Sequence, residues 1–382
     1  MPSPLTLESI STKQARIAEV AKQMPGTALR SLSHNMDLAW LREAFRRTRK
    51  DGAVGVDGQT AEQYAEDLEH NLRSLLDRAK SGTYQAPAVR RVRIPKGDGK
   101  TRPLGIPTFE DKVLQRAVLM LLEPVFEQDF YSGSYGFRPN RSAHDALEAL
   151  NKCLWEMGGG WVLDVDVQSF YDSLAHGKLQ EMFRQRVVDG VVVRLIGKWL
   201  HAGVLEEGSV VQPEAGTPQG GVISPLLANI YLHEVVDQWW VREVLPRMRG
   251  GAKLIRYADD LVMVFEERQD AQRVQAALAK RFERYALTLH PEKTRLVRFQ
   301  RPNGHGRYAD GERPGSFDFL GFTHYWSRSR KGPWVPKRTT SKKRFSRACR
   351  ALNQWLRQAR HKPLAEQATT LGQKLRGHFN YY

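Results

Sequence analysis

The chain has 382 residues, enough to bury a large core and form two or three lobes, and its 41% hydrophobic and 26% charged content is that of an ordinary globular protein. No run approaches the length of a membrane span, the start Met1-Pro2-Ser3-Pro4 lacks a signal-peptide apolar core, and the lone cysteines Cys153 and Cys349 exclude a disulfide framework or a Cys-rich zinc module. The net charge of +17 is concentrated, because residues 326–382 carry 15 Lys and Arg against the single acid Glu366, which suggests a surface for phosphate.

Residues 1–35 are polar and mixed and read as an N-terminal leader. Apolar spacing predicts a short amphipathic helix over 38–47, ended by the turn-rich Gly55-Val56-Asp57-Gly58 region. A second helix is predicted over 61–79, with Leu68, Leu72, Leu75 and Leu76 at helical spacing. Residues 89–94 alternate as a strand, run into Pro95-Lys96-Gly97-Asp98-Gly99-Lys100-Thr101-Arg102, and resume strand pattern at 104–106. This is a hairpin with a basic, glycine-containing tip. Helices over 111–126 and 142–157 flank a loop at Tyr135-Gly136-Phe137-Arg138-Pro139. Gly158-Gly159-Gly160 breaks the chain before a strand at 161–167. A helical region at 191–200 is followed by the loop Gly216-Thr217-Pro218-Gln219-Gly220-Gly221 and a helix over 226–240. A helix over 269–285, a strand at 296–299, a Gly/Pro/Asn-rich loop at 301–315 and a strand at 317–322 come next. In the basic tail, Ala348, Leu352, Trp355 and Leu356 mark the apolar face of an amphipathic helix. Strands alternating with helices around a central sheet give an α+β class.

The chemistry concentrates in Arg256-Tyr257-Ala258-Asp259-Asp260-Leu261, between the apolar runs Lys253-Leu254-Ile255 and Val262-Met263-Val264-Phe265. This reads as a tight hairpin with carboxylates at its tip. An isolated Asp-Asp is ordinarily a solvated turn. A third aspartate overturns that reading: in Trp161-Val162-Leu163-Asp164-Val165-Asp166, alternation puts Asp164 and Asp166 on one face of a strand whose neighbours are apolar. Unpaired buried carboxylates are costly, so Asp166, Asp259 and Asp260 meeting at strand ends suit two Mg²⁺ ions, which clamp both oxygens of an in-line phosphoryl transfer.

Seven blocks then follow in a fixed order. They are Ile94-Pro95-Lys96 with Arg102-Pro103-Leu104-Gly105-Ile106-Pro107, Ser134-Tyr135-Gly136-Phe137-Arg138-Pro139, Asp166-Val167-Gln168-Ser169-Phe170-Tyr171-Asp172 and Gly216 to Gly221. Tyr257-Ala258-Asp259-Asp260, Leu287-x-Leu289-x-x-x-Lys293-Thr294 and Phe317-x-Phe319-Leu320-Gly321-Phe322 complete the set. In this order they resemble a reverse transcriptase, and most closely the group II intron-encoded branch, from about residue 36 onward. The resemblance implies a right-hand polymerase: fingers at 36–110 and 173–212, a palm with an antiparallel sheet at 111–172 and 213–325, and a basic helical thumb at 326–382 that is incomplete relative to the family.

The resemblance also assigns roles. Asp166, Asp259 and Asp260 match the catalytic metal-binding aspartates, and Val167 a position whose backbone carbonyl helps hold an ion. Tyr171 matches the steric gate beneath the incoming sugar, where a ring collides with a ribose 2′-OH. Gln219 and Gly220 match the loop along the nucleotide, and Lys96 and Arg102 the residues that hold its triphosphate. Lys293 matches a lysine proposed to protonate pyrophosphate. Phe319, Leu320 and Gly321 resemble the primer grip, and Lys342, Lys343 and Arg344 are expected on the duplex backbone. The implied partners are an RNA template, a DNA primer, dNTPs and intron RNA, in a bacterial-type cytoplasm near the nucleoid and away from membranes. Two alternatives remain: a maturase that binds intron RNA without polymerising, and a reverse transcriptase recruited to defence or repair.

Overall fold

The computed structural model describes residues 4–95, 101–206, 209–211, 215–217 and 220–382, so Lys96 and Gln219 lie outside the described residues. The stretch expected as a polar leader contains helix α1 (Pro4–Gln23), whose Ile10, Ile17 and Ala21 are buried at spacings of seven and four, one face of a helix. Helix α2 (Leu38–Arg47) starts at Asp37, whose carboxylate accepts from the Trp40 amide at 2.8 Å. The single helix expected over 61–79 is two. α3 (Ala61–Ala65) opens with a capping box between Thr60 and Gln63, and Asp67 leaves helical geometry before α4 (Leu68–Ser81). Strands β1 (Val89–Pro95) and β2 (Thr101–Ile106) pair antiparallel, Arg90 opposite Ile106 and Pro95 opposite Thr101. α5 (Phe109–Phe126) is apolar nearly all round and correspondingly buried.

α6 (Ala143–Glu156) begins with a capping box between Ser142 and Asp145 and leads to β3 (Trp161–Val165). Then come α7 (His176–Arg184), α8 (Gly190–Leu200), β4 (Val204–Glu206), β5 (Ser209–Val211) and α9 (Ser224–Leu232). Beyond α9 the helix expected to run to residue 240 widens into π-helical turns at His233–Gln238 and Trp240–Val244. The chain continues through β6 (Ala252–Tyr257), β7 (Asp260–Phe265), α10 (Arg268–Arg284), β8 (Arg295–Arg298), β9 (Phe317–Phe319), β10 (Phe322–Arg328), β11 (Trp334–Thr340), α11 (Lys342–Ala359) and α12 (Leu364–Tyr381).

The strand expected at 317–322 is therefore a hairpin. Leu320 (φ +49°) and Gly321 (φ +85°) form a two-residue turn with Phe319 opposite Phe322. Positive φ at both central residues matches the right-handed twist of the flanking strands.

The chain divides into two compact units. The first comprises Met1–Arg141, Val167–Pro246 and Leu278–Leu289; the second comprises Ser142–Asp166, Arg247–Ala277 and His290–Tyr382. In the first unit, α5 packs against α1, α2 and α9, and a four-stranded sheet runs β2-β1-β4-β5 with β1 and β4 parallel. Asp111 is buried there among donors: Tyr84 hydroxyl at 2.7 Å, Trp199 indole at 2.6 Å and Gln115 amide at 3.0 Å. Burial outweighs these hydrogen bonds and pushes its carboxyl up to about 6.

The second unit is built on an antiparallel sheet in the order β6-β7-β3-β8 and a three-stranded sheet β11-β10-β9. The glycine break enters β3 through close approach. A Cβ on Gly159 would stand 1.9 Å from the Phe299 carbonyl oxygen, and one on Gly160 2.2 Å from that of Phe265.

Candidate active site

β3 lies between β7 and β8, and its register with β7 is continuous from Trp161 opposite Phe265 to Val165 opposite Leu261. The last pair of that register is Val165 with Leu261, so Asp166 follows β3 and Asp260 opens β7 at the same end of the sheet, while β6 sets Tyr257 opposite Asp260. Paired residues on neighbouring antiparallel strands share a face, with Cβ atoms about 5 Å apart. Asp166 and Asp260 therefore each adjoin the last pair, Val165 with Leu261, and Asp259 occupies the β6–β7 turn between Ala258 and Asp260. Ala258 adopts φ +55°, and the fully buried Arg256 donates from Nη1 to its carbonyl at 3.2 Å. A left-handed alanine is unfavourable, so this hydrogen bond helps fix the turn that carries the carboxylates.

Like charges crowd this end of the sheet. Loss of solvation, followed by Asp259, Asp166 and Asp164, pushes the Asp260 carboxyl up to about 7 against a smaller pull from Arg344. Asp260 keeps an exposed edge, yet the protein around it disfavours its charge. Burial first, then Asp318 and Asp166, raises Asp164 to about 6, opposed by Arg295, whose Nη2 lies 3.2 Å from its Oδ2. Lys293 places Nζ 3.3 Å from both carboxylate oxygens of Asp166. Two donors converge on the Asp166 carbonyl, the His290 amide at 2.8 Å and the Thr294 hydroxyl at 3.4 Å.

Among the described residues, no three His, Cys, Asp or Glu side chains are arranged closely enough to enclose an ion. The donor chemistry nevertheless fits a hard divalent cation. The oxygens are carboxylate, burial and then the neighbouring carboxylates raise Asp260, and a lysine ammonium already stands against Asp166.

The first unit holds the other expected residues. Val167 is buried and bridges antiparallel to Leu289. Tyr171 sits half-buried in a 3₁₀ turn, Phe170–Asp172, its ring edge-on to Phe170 with centroids 5.3 Å apart. The loop after β5 is tied to that turn by its backbone: Thr217 amide donates to the Tyr171 carbonyl at 2.9 Å and Gly216 amide to Leu174 at 2.8 Å. Buried His176 contacts the Gly216 carbonyl through Nε2 at 2.6 Å. Beyond the loop, the Ile223 amide donates to the Gln115 side chain at 3.2 Å, which links it to Asp111. Arg102 is exposed on β2, opposite Ile94.

The second unit also holds Phe319, buried, and the Leu320–Gly321 turn. Lys342, Lys343 and Arg344 form the exposed first turn of α11. Pattern reasoning missed Arg256, Tyr381 and the approach of Arg344 to Asp260. An arginine between an apolar run and two aspartates was the only sequence signal for the first; its burial, like the other two, depends on tertiary packing.

Residues 94–324, more than half of the chain, match the family described as reverse transcriptase (RNA-dependent DNA polymerase). Among curated proteins, the chain is similar to Protein YkfC of Escherichia coli (strain K12), 37% identical over 287 residues, 67% of this chain and 75% of that protein. It is 41% identical over 183 residues to the group II intron-encoded protein LtrA of Lactococcus lactis subsp. cremoris, 47% of this chain and 30% of LtrA. It is 27% identical over 174 residues to nuclear intron maturase 2, mitochondrial, of Arabidopsis thaliana, 36% of this chain and 24% of that protein. No helix among the described residues is long and apolar enough to cross a membrane. The chain belongs to the reverse transcriptase family.

Proposed function

We propose that this protein is a group II intron-type reverse transcriptase that copies RNA into DNA. The observation that supports the reading is the end of the sheet, where Asp166 follows β3 and Asp260 opens β7 on either side of the Val165–Leu261 pair, with Asp259 in the adjoining turn. Asp166, Asp259 and Asp260, with the Val167 carbonyl, would hold Mg²⁺, which when bound supplies charge neutralisation at the attacking and leaving oxygens of nucleotidyl transfer. Lys293, on Asp166, is placed to give charge and a proton to the departing pyrophosphate. Tyr171 bounds the sugar pocket and excludes a 2′-OH. The loop from Gly216 through Gln219 and Gly220 aligns the nucleotide, and Lys96 and Arg102 bind its triphosphate as point charge and planar fork. The Phe319-Leu320-Gly321 hairpin bears on the primer, and Lys342, Lys343 and Arg344 bear on the duplex backbone.

The likeness to proteins named for introns and maturases favours intron RNA as a further partner, held by the same basic residues. Primer extension on an RNA template tests the reading, with Asp259→Asn as the informative variant. It changes one ligand atom at constant shape, and losing that transition-state stabilisation should cost at least ~3 kcal/mol. Duplex binding should be retained. Extension within about tenfold of wild type, less than half that cost, would remove Asp259 from the chemistry.

A further inference from the structure

Tyr381, the residue that closes α12, donates its phenol hydrogen to the Leu320 carbonyl at 2.8 Å. Its ring lies on Phe322, with centroids 5.8 Å apart. Tyr382 packs on Phe322 as well, at 5.1 Å, and its phenol oxygen stands 2.8 Å from where a Cβ on Gly321 would be. The amide of Ser341, just before α11, donates to the Gly321 carbonyl at 2.9 Å. All these contacts converge on a turn whose Leu320 occupies left-handed backbone space that a leucine disfavours. Such a conformation persists only where its surroundings over-determine it, and here two tyrosines and a helix entry do so.

β9, the strand that enters this turn, packs against β3, the strand that leads into Asp166. Burial, then Tyr382, then Tyr257 raise the Tyr381 phenol pKa, Arg344 opposes them, and Asp260 adds a smaller push. The residues that bear on Tyr381 therefore come both from the catalytic hairpin and from the Leu320–Gly321 hairpin. On the first it approaches Tyr257 and Asp260; on the second it bonds directly.

We propose that Tyr381 and Tyr382 are positioning residues that lock the Leu320–Gly321 turn beside the carboxylate row, so that docking of α12 fixes where a primer terminus rests. The inference rests on the reading of that turn as a primer contact. Removing the Tyr381 hydroxyl frees the Leu320 carbonyl and lets the strained turn relax. The terminus then wanders while the duplex stays bound, because the basic residues that grip its backbone are untouched.

The test uses the full chain and an RNA–DNA duplex with 2-aminopurine at the primer 3′ end. In Tyr381→Phe the terminal fluorescence should move toward that of free duplex, with overall duplex affinity unchanged. The kcat for extension should fall about fivefold with the KM for primer–template nearly constant, the scale of one hydrogen bond removed. Tyr382→Ala, which keeps the Leu320 bond, should show the same fluorescence change to a smaller degree and serves as the deciding variant should Tyr381→Phe unfold. Wild-type fluorescence and kcat in folded Tyr381→Phe would overturn the clamp, as would wild-type protein that leaves the terminal base unperturbed. A wild-type protein that fixes the terminus yet extends nothing would sink the polymerase reading and leave the clamp standing.

Discussion

The backbone of Gly220 lies directly against that of Gly105: a Cβ on Gly220 would stand 2.7 Å from the Gly105 carbonyl oxygen. Gly220 also adopts φ +114°, which side chains disfavour. At its other end the loop is bonded to the Tyr171 turn through Thr217 and Gly216. One short segment thus joins the strand that carries Arg102 to the turn that carries Tyr171. Gly220→Ala should displace the loop, since neither backbone can yield as a side-chain tip would. The expected result is a KM for dNTP raised at least about tenfold, together with a stability loss of roughly 1–3 kcal/mol from strain. Nucleotide titration and urea unfolding measure both, and a KM within twofold of wild type would show that the loop does not seat the nucleotide.

Tyr171 is held by its ring contact with Phe170 and by the bond from Thr217 to its carbonyl. Shortening the side chain in Tyr171→Val should open space beneath C2′ without moving the backbone. Discrimination is the ratio of kcat/KM for matched dNTP and rNTP, and it should fall by about tenfold or more. An unchanged ratio in a folded variant would leave Tyr171 a packing residue.

Asp111 gives the first unit a pH-dependent stability. Its folded pKa of about 6 exceeds the ordinary 3.8, so the native state holds the proton more tightly than the unfolded chain. Its contribution is fully present below about pH 3.8 and is lost as pH rises through 6. The gap corresponds to roughly 3 kcal/mol. Asp111→Asn carries no such charge, so its stability relative to wild type should climb between pH 4.5 and 7.5 by up to about that amount. Urea unfolding of both proteins across this range measures it. A flat difference would mean that the native carboxylate is ionised throughout.

What the sequence disclosed was local. The β6–β7 hairpin is legible because two apolar runs flank a two-residue turn, and Asp166 because it follows an apolar strand. The β9–β10 hairpin is not. Phe317-x-Phe319-Leu320-Gly321-Phe322 reads as one half-buried strand, and a leucine at positive φ signals no turn. Its turn is stabilised from afar, by Tyr381 and Tyr382, which no sequence window of strand length includes. Helix α1 was hidden by its polar composition, since only Ile10, Ile17 and Ala21 need burial to dock it. The two-helix division at Asp67 was hidden because leucines at 68, 72 and 75 continue the period of the residues before the break. Arg256 shows the same limit from the side of charge. Its type says surface, and its full burial beneath the Ala258 turn follows from where β6 lies in the sheet.

Lys342, Lys343 and Arg344 occupy the first turn of α11, where the helix dipole disfavours cations. Three exposed positive charges in that place stabilise the helix poorly, which argues that they serve a bound anion. They are not equivalent, because Arg344 alone of the three also acts through its charge on Asp260. Replacing Lys342 and Lys343 with alanine should therefore flatten the slope of log affinity against log salt by about two phosphates' worth, and adding Arg344→Ala by less than one more. Product runs should shorten in the double variant. Sugar selectivity should hold, since Tyr171, the residue proposed to read the sugar, belongs to the other unit. Binding of an RNA–DNA duplex across a salt series, paired with product-length analysis, measures both effects. An unchanged slope and run length in the double variant would make this turn a solvated surface and end its assignment to the duplex. Should Arg344→Ala flatten the slope by a whole further phosphate, that arginine belongs on the duplex backbone as well, and its influence on Asp260 is then incidental.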